Sequence, residues 1–310
     1  MNKNIIITAF LLCFSTVWSV GKEKADLSAK PEVIAQPAVP SKAGPEAINK
    51  TEVSADMPVE ELFTLSPFKE IKERGELVVA VHSKDHSPFH MVDKNGELTG
   101  IDVEIAKVIA KDLGVKVRFD RTAKDFDAVV ELVKERKADI GTAKISFTLE
   151  RASKVLYSDP YIILHKAVML NRRTLMKMEG NPNIVDVLST PGVKLGVLAK
   201  TSYVDYAKEC FPKGIVTALP EWDAVIKELK DGKLDAVFRD DNEMSKLLKI
   251  DPQLNLRFAV ISLTEEVDPI ALVTNLDNSA FITWVNKVIK NNKNINFNLK
   301  DILNKYKDIL

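Results

Sequence analysis

The chain has 310 residues, of which 44 are lysine or arginine and 44 are aspartate or glutamate, so its formal net charge is zero. This balance argues against a protein that binds nucleic acid or an acidic membrane surface through its charge. Hydrophobic residues make up 45% of the chain, which is enough for an ordinary globular core, and the length allows one large domain or two modest ones.

Residues 1–21 have the pattern of a secretory signal peptide. Lys3 gives a positive N-terminal region, an apolar run extends from Ile5 to Val20, and small residues follow for cleavage. An uncleaved anchor is the alternative, although the run is short for a membrane-spanning helix. Cys13 would leave with the signal, so Cys210 would stand alone and no internal disulfide is expected.

Residues 22–60 are rich in proline, alanine, lysine and glutamate and contain no aromatic residue. A segment of this composition buries too little apolar surface to offset the entropy of ordering, so we expect a disordered spacer. It either holds the folded part away from an attachment point or is a solvated tail without a role.

Helices and strands alternate from residue 66 onward. The first predicted elements are a helix capped by Ser66 and ended by Gly75, a strand over 77–81, a helix over 101–113, a strand over 115–119, a helix capped by Asp125 and a short buried strand over 139–141. This order is typical of a mostly parallel sheet with helices on its faces.

An internal repeat has a constant offset of 96 residues. Phe126-Asp127-Ala128 begins a helix in one copy and Trp222-Asp223-Ala224 in the other, and Asp139 and Asp235 begin the strand that follows. The equal spacing from helix to strand argues against coincidence, so the repeat predicts two similar α/β lobes.

The remaining elements predict how the chain passes between these lobes. A strand over 195–198 and a helix over 203–209 come before the second copy of the repeat, and a helix over 242–248 and extended stretches over 256–261 and 270–273 follow it. C-terminal helices, with Phe281 and Tyr306 among their apolar residues, would return to the first lobe. The chain would then cross near 165–168 and near 258–261, and two crossing strands make a hinge.

Candidate ligand-binding residues lie just past the predicted strands, where ligands bind in open α/β sheets. Arg151 stands in the first turn of a helix, and its guanidinium suits a carboxylate held by two hydrogen bonds. Thr201 or Ser202 would cap the helix that follows, a ready site for an anion. The repeat sets Lys144 against Asp240, and facing lobes would bring both to one cleft. A surface arginine and an ordinary helix cap are the alternatives.

Three segments carry a resemblance to a known family, namely Gly100 to Leu113, Asp139 to Arg151 and Tyr157 to Tyr161. Over residues 66–310 the chain resembles the periplasmic solute-binding proteins of ABC importers, of the polar amino acid type (bacterial extracellular solute-binding protein family 3). The resemblance implies an α/β Venus flytrap fold of two lobes with mostly parallel sheets and a two-strand hinge. Lobe 1 would comprise residues 61–165 with 262–310, and lobe 2 residues 166–261.

The resemblance also implies a function and roles for single residues. A periplasmic monomer would capture an amino acid or a similar small carboxylate and deliver it to an ABC permease in the inner membrane. Arg151 matches the arginine that grips the ligand's α-carboxylate, which Thr201 and Ser202 would also hold. Asp240 matches the acid that pairs with the α-ammonium, and Ser146 matches a residue that hydrogen-bonds the ligand.

The positions around the ligand's side chain include two departures from the family pattern. Phe126 matches an aromatic residue that packs over the side chain. His86 replaces a frequent stacking aromatic, and its imidazole could stack when neutral but also titrates near neutral pH. Lys144 replaces a small polar residue. It would favour an extra carboxylate on the ligand, or else point to solvent or neutralise Asp240.

Other classes of function receive less support from the sequence. His82, His86 and His90 are four residues apart, but Pro88 interrupts any helix that would align them on a metal, so no metal or cofactor is assigned. No catalytic motif is present and no catalytic residue is assigned. The alternatives are an enzyme similar to periplasmic cyclohexadienyl dehydratases, with His86 and Asp240 as acid and base, and a ligand-sensing partner of a membrane receptor.

Overall fold

The structure is a computed structural model that describes residues 66–176 and 184–292. The described residues all fall in one compact unit. The predicted signal peptide, the predicted spacer and the tail helix predicted around Tyr306 lie outside the described residues.

The described chain alternates helices and strands, as the sequence predicts. The elements before the first crossing are α1 (Phe68–Arg74), β1 (Glu76–His82), β2 (Met91–Val92), β3 (Leu98–Thr99), α2 (Ile101–Leu113), β4 (Lys116–Ala123), α3 (Phe126–Lys134), β5 (Ile140–Ser146), α4 (Leu149–Ala152) and β6 (Val155–Tyr157). The elements from the first crossing to the end are β7 (Ile162–Asn171), α5 (Arg172–Met176), α6 (Ile184–Leu188), β8 (Lys194–Leu198), α7 (Tyr203–Cys210), β9 (Ile215–Leu219), α8 (Trp222–Lys230), β10 (Ala236–Asp240), α9 (Asp241–Ile250), α10 (Leu254–Arg257), β11 (Phe258–Asn275) and α11 (Ser279–Asn291).

One nine-stranded sheet runs through both lobes in the order β4-β1-β5-β11-β7-β10-β8-β9, with β6 also paired to β11. The outer pairs β1 with β4, β1 with β5, β8 with β9 and β8 with β10 are parallel. The pairs that involve the central strands β7 and β11 are antiparallel. Lobe 1 therefore contains β1, β4 and β5, lobe 2 contains β8, β9 and β10, and two antiparallel strands connect them.

The two crossing strands pair with each other along most of their length. Phe258 lies opposite Asn171 at one end and Ile270 opposite Ile162 at the other, with a register shift between Leu263 and Val267. The extended stretches predicted over 256–261 and 270–273 are therefore one strand of 18 residues. The prediction was wrong at its start, because residues 256–257 belong to the short helix α10.

Apolar side chains cover both faces of the sheet in each lobe. In lobe 1, α1, α2 and α11 pack around Phe68 and Phe281 on one face, and α3 packs through Val129 on the other. In lobe 2, α7 packs near Phe238 on one face, and α8 packs through Val225 on the other. Burial on both faces explains why the strand β1 reads as a continuous apolar run.

Equivalent hydrogen bonds confirm the predicted repeat. The Asp139 carboxylate accepts a bond from the Val78 amide at 2.7 Å, and its own amide donates to the Val78 carbonyl at 2.9 Å. Asp235 makes the same two bonds to Lys194, each at 2.9 Å. In both lobes an aspartate before the strand thus fixes the register against the neighbouring parallel strand.

Most of the predicted helix ends are confirmed. Gly75 adopts the left-handed conformation after α1, with φ 74°. The Asp125 carboxylate caps α3 by accepting a hydrogen bond from the Ala128 amide at 2.8 Å. The prediction for Ser66 was wrong, because Pro67 occupies the N-cap position and no side chain caps that helix.

Candidate functional site

A narrow cavity of about 20 Å³ lies between the lobes, and seven of the eight predicted ligand-binding residues line it. These seven come from the end of β5, the start of α3, the first turn of α4, the start of α7 and the end of β10: Phe126, Lys144, Ser146, Arg151, Thr201, Ser202 and Asp240. Tyr203, Arg239 and Asp268 also line this cavity, and sequence reasoning did not select them.

Lys144 lies within a strand rather than after it, because β5 continues to Ser146. Its backbone is nevertheless irregular, with a left-handed φ of 54°, and the register between β5 and β11 shifts opposite it, between Ala271 and Val273. The Lys144 amide donates to the buried carboxylate of Asp102 at 3.1 Å. The backbone thus holds Lys144 in a conformation that an ordinary strand residue does not adopt.

Asp102 anchors this part of β5 from α2. Its carboxylate accepts a hydrogen bond from the Thr142 hydroxyl at 2.9 Å and lies 2.8 Å from Nδ1 of His90. Both Asp102 and His90 are fully buried. The segment from Gly100 to Leu113 that carries the family resemblance therefore fixes the strand from which Lys144 reaches the cleft.

The Lys144 ammonium crosses the cleft to two acids of lobe 2. Nζ lies 2.7 Å from Oδ2 of Asp240 and 3.4 Å from Oε1 of Glu243, and all three side chains are buried. Oδ1 of Asp240 accepts a hydrogen bond from the Glu243 amide at 3.1 Å and so caps α9. The predicted meeting of Lys144 and Asp240 is confirmed, and of the alternatives for Lys144 the structure has the one in which it neutralises Asp240.

The pKa of Glu243 reflects this concentration of charge. Burial acts to raise that pKa, but the positive charges of Lys144, Arg239 and Lys246 outweigh burial and hold it well below its ordinary value. Glu243 is therefore ionised and belongs with Asp240 to a buried network of acids and bases, where one unpaired charge would be costly.

Arg151 also lines the small cavity, and part of its guanidinium already donates hydrogen bonds to protein atoms. Nε donates to Oδ1 of Asp127 at 2.9 Å, and one terminal nitrogen donates to the Ser146 carbonyl at 3.2 Å. The Thr148 hydroxyl accepts a hydrogen bond from the Arg151 amide at 3.2 Å and caps α4. These contacts set the direction of the guanidinium before any ligand arrives.

The predicted caps at the start of α7 were wrong. Ser202 occupies the N-cap position but makes no capping bond, because its φ of −53° and ψ of −24° are helical rather than extended. The Thr201 hydroxyl donates instead to the Leu198 carbonyl at 2.7 Å. No side chain of the described residues therefore caps the first turn of α7.

Asp268 of the crossing strand β11 is a buried acid within an apolar stretch that no local sequence pattern marks as a site residue. The hydroxyls of Ser146 and Tyr203 both donate to its Oδ2 at 3.1 Å. Burial, together with the negative charge of Asp240, raises the pKa of Asp268 to about 6, although the bond from Ser146 and the charge of Lys144 oppose that rise. Asp268 thus titrates just below neutral pH.

A larger cavity of about 400 Å³ adjoins the small one, and both are lined by Phe126, Thr201 and Arg239. His86, the eighth predicted site residue, lines only the larger cavity, where its ring lies 5.1 Å from that of Phe126. Burial and the neighbouring His90 hold the pKa of His86 well below its ordinary value. The expectation that His86 titrates near neutral pH was therefore wrong, and its ring is a neutral aromatic wall.

Two residues of lobe 2 complete the junction of the cavities. The Arg239 guanidinium carbon lies 5.1 Å from the centre of the Trp222 ring, an arrangement that favours a cation on an aromatic face. Nε of Arg239 lies 3.8 Å from Oδ2 of Asp240. Trp222 corresponds to Phe126 in the internal repeat. The repeat could therefore have marked Trp222 as an aromatic residue of the cleft, but the sequence analysis used it only to place the start of a helix.

The described residues include no group of three His, Cys, Asp or Glu side chains arranged to hold a metal ion. The histidines that are four residues apart have other contacts, since Nδ1 of His82 accepts a bond from the Lys84 amide at 2.9 Å and His90 contacts Asp102. Cys210 is a free cysteine, as predicted.

The sheet with two central antiparallel strands and a cavity between paired lobes defines a two-lobed ligand-binding protein. The chain belongs to the bacterial extracellular solute-binding proteins, family 3, whose model matches residues 77–308. It therefore has a solute-binding function. The predicted family is thus confirmed.

Individual relatives support the same conclusion. The chain is 26% identical over 214 residues to ABC transporter arginine-binding protein 1 of Escherichia coli (strain K12), which is 67% of this chain and 81% of that protein. It is similar to the crystal structure of AncCDT-1, an ancestral amino acid-binding protein and precursor of cyclohexadienyl dehydratase, with 28% identity, a TM-score of 0.60, and 77% and 97% of the two chains covered.

A second solved structure is the amino acid ABC transporter substrate-binding protein AbpA from Streptococcus pneumoniae bound to L-arginine. Its identity to this chain is 26% and its TM-score 0.59, with 76% of this chain and 94% of AbpA covered. These likenesses and the sheet topology confirm the predicted two-lobed α/β fold.

Proposed function

We propose that this protein captures an amino acid or a similar small carboxylate between its lobes and delivers it to an ABC permease in the inner membrane. The observation that carries the proposal is the buried Arg151, which lines the small cavity together with Thr201 and Ser202 at the start of α7. A guanidinium binds a carboxylate through parallel N–H bonds, and a serine or threonine hydroxyl is a further donor for it. The names of the relatives, several of which bind arginine, agree with this class of ligand.

The proposal includes location and organisation. The protein acts as an exported monomer in the periplasm, where several relatives are located, with residues 1–21 as signal peptide and 22–60 as spacer. Lobe 1 comprises residues 61–165 with 262–310, and lobe 2 residues 166–261. No helix within 66–176 or 184–292 has the length and apolar character needed to span a bilayer.

Capture would occur through closure of the lobes. Ion pairs already join them, among them Lys144 with Asp240, Lys200 with Asp125 at 3.0 Å and Lys84 with Glu221 at 2.9 Å. The Tyr206 hydroxyl of lobe 2 also donates to the Phe147 carbonyl of lobe 1 at 2.7 Å. A ligand that contacts both lobes stabilises this closed arrangement through contacts that an open form lacks.

Ligand screening of the unfolded and refolded protein tests the proposal. A ligand at about a hundred times its dissociation constant adds roughly 2.7 kcal/mol of stability, which a thermal-unfolding screen of amino acids and organic acids detects. Isothermal titration calorimetry should then show that Arg151→Ala weakens binding by roughly 10- to 100-fold, because a hydrogen bond to a charged group contributes about 1.5–3 kcal/mol.

The matched control is Arg136→Ala. Arg136 is half exposed, pairs with Asp277 and lies outside both cavities, so its loss should leave the affinity unchanged. Equal affinity of the Arg151 and Arg136 variants, or the absence of any carboxylate that stabilises the protein, would contradict the proposal.

We propose further that the protein is a receptor and not an enzyme. The alternative draws on AncCDT-1, which its description calls a precursor of cyclohexadienyl dehydratase. Incubation with prephenate separates the two, because dehydratase activity converts it to phenylpyruvate, which is followed by absorbance. Turnover by the wild type that Asp240→Asn abolishes would establish the enzyme instead.

A further inference from the structure

We infer that the cleft selects an organic anion whose carboxylate has no amino group beside it, such as a 2-oxo or 2-hydroxy acid. The inference rests on the proposed function of the cleft as a binding site for a small carboxylate. The class of ligand is narrowed because the buried acids of the cleft are already paired with cations of the protein itself.

The acids on the lobe 2 side of the cleft already have a cation. Oδ2 of Asp240 binds the Lys144 ammonium at 2.7 Å, and its Oδ1 accepts the Glu243 amide. The Glu243 carboxylate lies 3.4 Å from both Lys144 and Lys246. A ligand ammonium at this position would have to displace Lys144 or lie beside it, and like charges in a buried site repel strongly.

The Lys144 ammonium is part of the built site rather than a mobile surface group. Only 5% of Lys144 is exposed, and its backbone is fixed by the left-handed φ of 54° and by the bond from its amide to Asp102. Nζ also lies 5.2 Å from the centre of the Phe89 ring. Moving Lys144 aside for a ligand would therefore leave Asp240 and Glu243 buried with fewer partners.

Arg239 is a cation of the cleft whose hydrogen-bonding capacity is largely unused. Arg239 is 4% exposed and lines both cavities, yet its guanidinium makes no hydrogen bond within the described residues. Its contacts are the face of Trp222 and Asp240 at 3.8 Å, whose Oδ2 already binds Lys144. Together with Arg151, Arg239 gives the cleft two planar donors that suit carboxylates.

Asp268 is the acid of the small cavity that could accept a ligand ammonium instead. Hydroxyl groups already surround it, since Ser146 and Tyr203 donate to Oδ2 at 3.1 Å and Tyr206 lies 3.5 Å from Oδ1. A ligand amine would have to replace these bonds. An Asp268→Asn variant shows whether any amine binds there.

The experiment compares ligands that differ only in the group at C2. Isothermal titration calorimetry of the refolded wild-type full chain uses three sets: alanine, pyruvate and lactate; glutamate, 2-oxoglutarate and 2-hydroxyglutarate; phenylalanine, phenylpyruvate and phenyllactate. Within the set that contains the ligand of highest affinity, we expect the oxo or hydroxy acid to have a dissociation constant at least about tenfold lower than that of the corresponding amino acid. This ratio is a difference of about 1.4 kcal/mol in binding free energy.

Two variants connect the preference to Lys144. Lys144→Ser frees the carboxylate of Asp240 and should reduce or reverse the ratio of affinities. Lys166→Ser is the matched control, because Lys166 is also a buried lysine, pairs with Glu266 at 2.9 Å and lines neither cavity. It should leave the ratio unchanged.

Each outcome decides the inference. Amino acids that bind as tightly as their oxo and hydroxy acids overturn it but leave the proposed function standing, and a further loss of amino acid binding in Asp268→Asn would assign the amine to Asp268. If no member of any set binds, the inference fails, and the proposed function fails as well only if no carboxylate of the wider thermal-unfolding screen stabilises the protein. If Lys144→Ser does not fold, the ratio of the wild-type affinities for the oxo or hydroxy acid and for the amino acid is sufficient to test the inference.

Discussion

Replacing Asp268 by asparagine should stabilise the protein above pH 6 and have little effect below pH 4. Asp268 is fully buried, and burial with the nearby charge of Asp240 raises its pKa from 3.8 to about 6. Between these values the folded state holds a proton that the unfolded state has lost, so the free energy of unfolding falls as pH rises. A difference of roughly two pKa units corresponds to at most about 3 kcal/mol.

The asparagine side chain removes the charge but keeps an oxygen that can accept the bonds from Ser146 and Tyr203. We therefore expect a gain of about 1–3 kcal/mol at pH 7.5 in the Asp268→Asn variant, since the ionised acid is costly to bury. Urea unfolding of the ligand-free protein, followed by tryptophan fluorescence at several values between pH 4 and pH 7.5, measures this difference.

The control is Asp186→Asn, which removes an exposed aspartate from α6. Its effect on the free energy of unfolding should be small at every pH. A difference between wild type and Asp268→Asn that stays constant from pH 4 to pH 7.5 would refute the assignment of a raised pKa. So would a variant that is less stable than wild type at pH 7.5.

Three further changes test packing, capping and closure. Gly196→Ala would place a Cβ 2.4 Å from Cδ1 of Leu234, so urea unfolding should show a loss of about 1–3 kcal/mol, and an unchanged midpoint would contradict this packing. Asp125→Ala removes the cap of α3 and should cost about 1 kcal/mol in the same assay, whereas Asp125→Ser should retain most of it. Lys84→Ala breaks an exposed pair with Glu221 and should weaken closure by less than about 1 kcal/mol. Small-angle X-ray scattering that shows a fully opened form would contradict this.

The features that the sequence predicted correctly depend on short-range patterns. The Asp125 carboxylate caps α3 by accepting a hydrogen bond from an amide only three residues away. The prediction of two similar lobes from the repeat was correct because Asp139 and Asp235 fix the same strand register in each lobe. Such interactions are visible in the sequence because both partners lie close together, or because the chain contains them twice.

The features that the sequence missed depend on distant partners. Asp268 meets Ser146 across 122 residues of chain, and no local pattern marks an acid within an apolar strand as a site residue. Arg239 was missed because its position is defined by the cleft and by Trp222. The conformation of Lys144 comes from a register shift against β11, which only the assembled sheet determines.

The pairing of the two crossing strands has a consequence for the ancestry and redesign of this fold. Lobe 2 leaves lobe 1 along β7 and returns along β11, and Lys166, at the start of the proposed lobe 2, lies opposite Leu263, close to its proposed end. With the proposed bounds, lobe 2 is an insertion whose two ends are neighbours in a β-ladder. A two-residue turn that joins these ends would turn the crossing strands into an ordinary hairpin, and lobe 1 would become a separate small α/β domain.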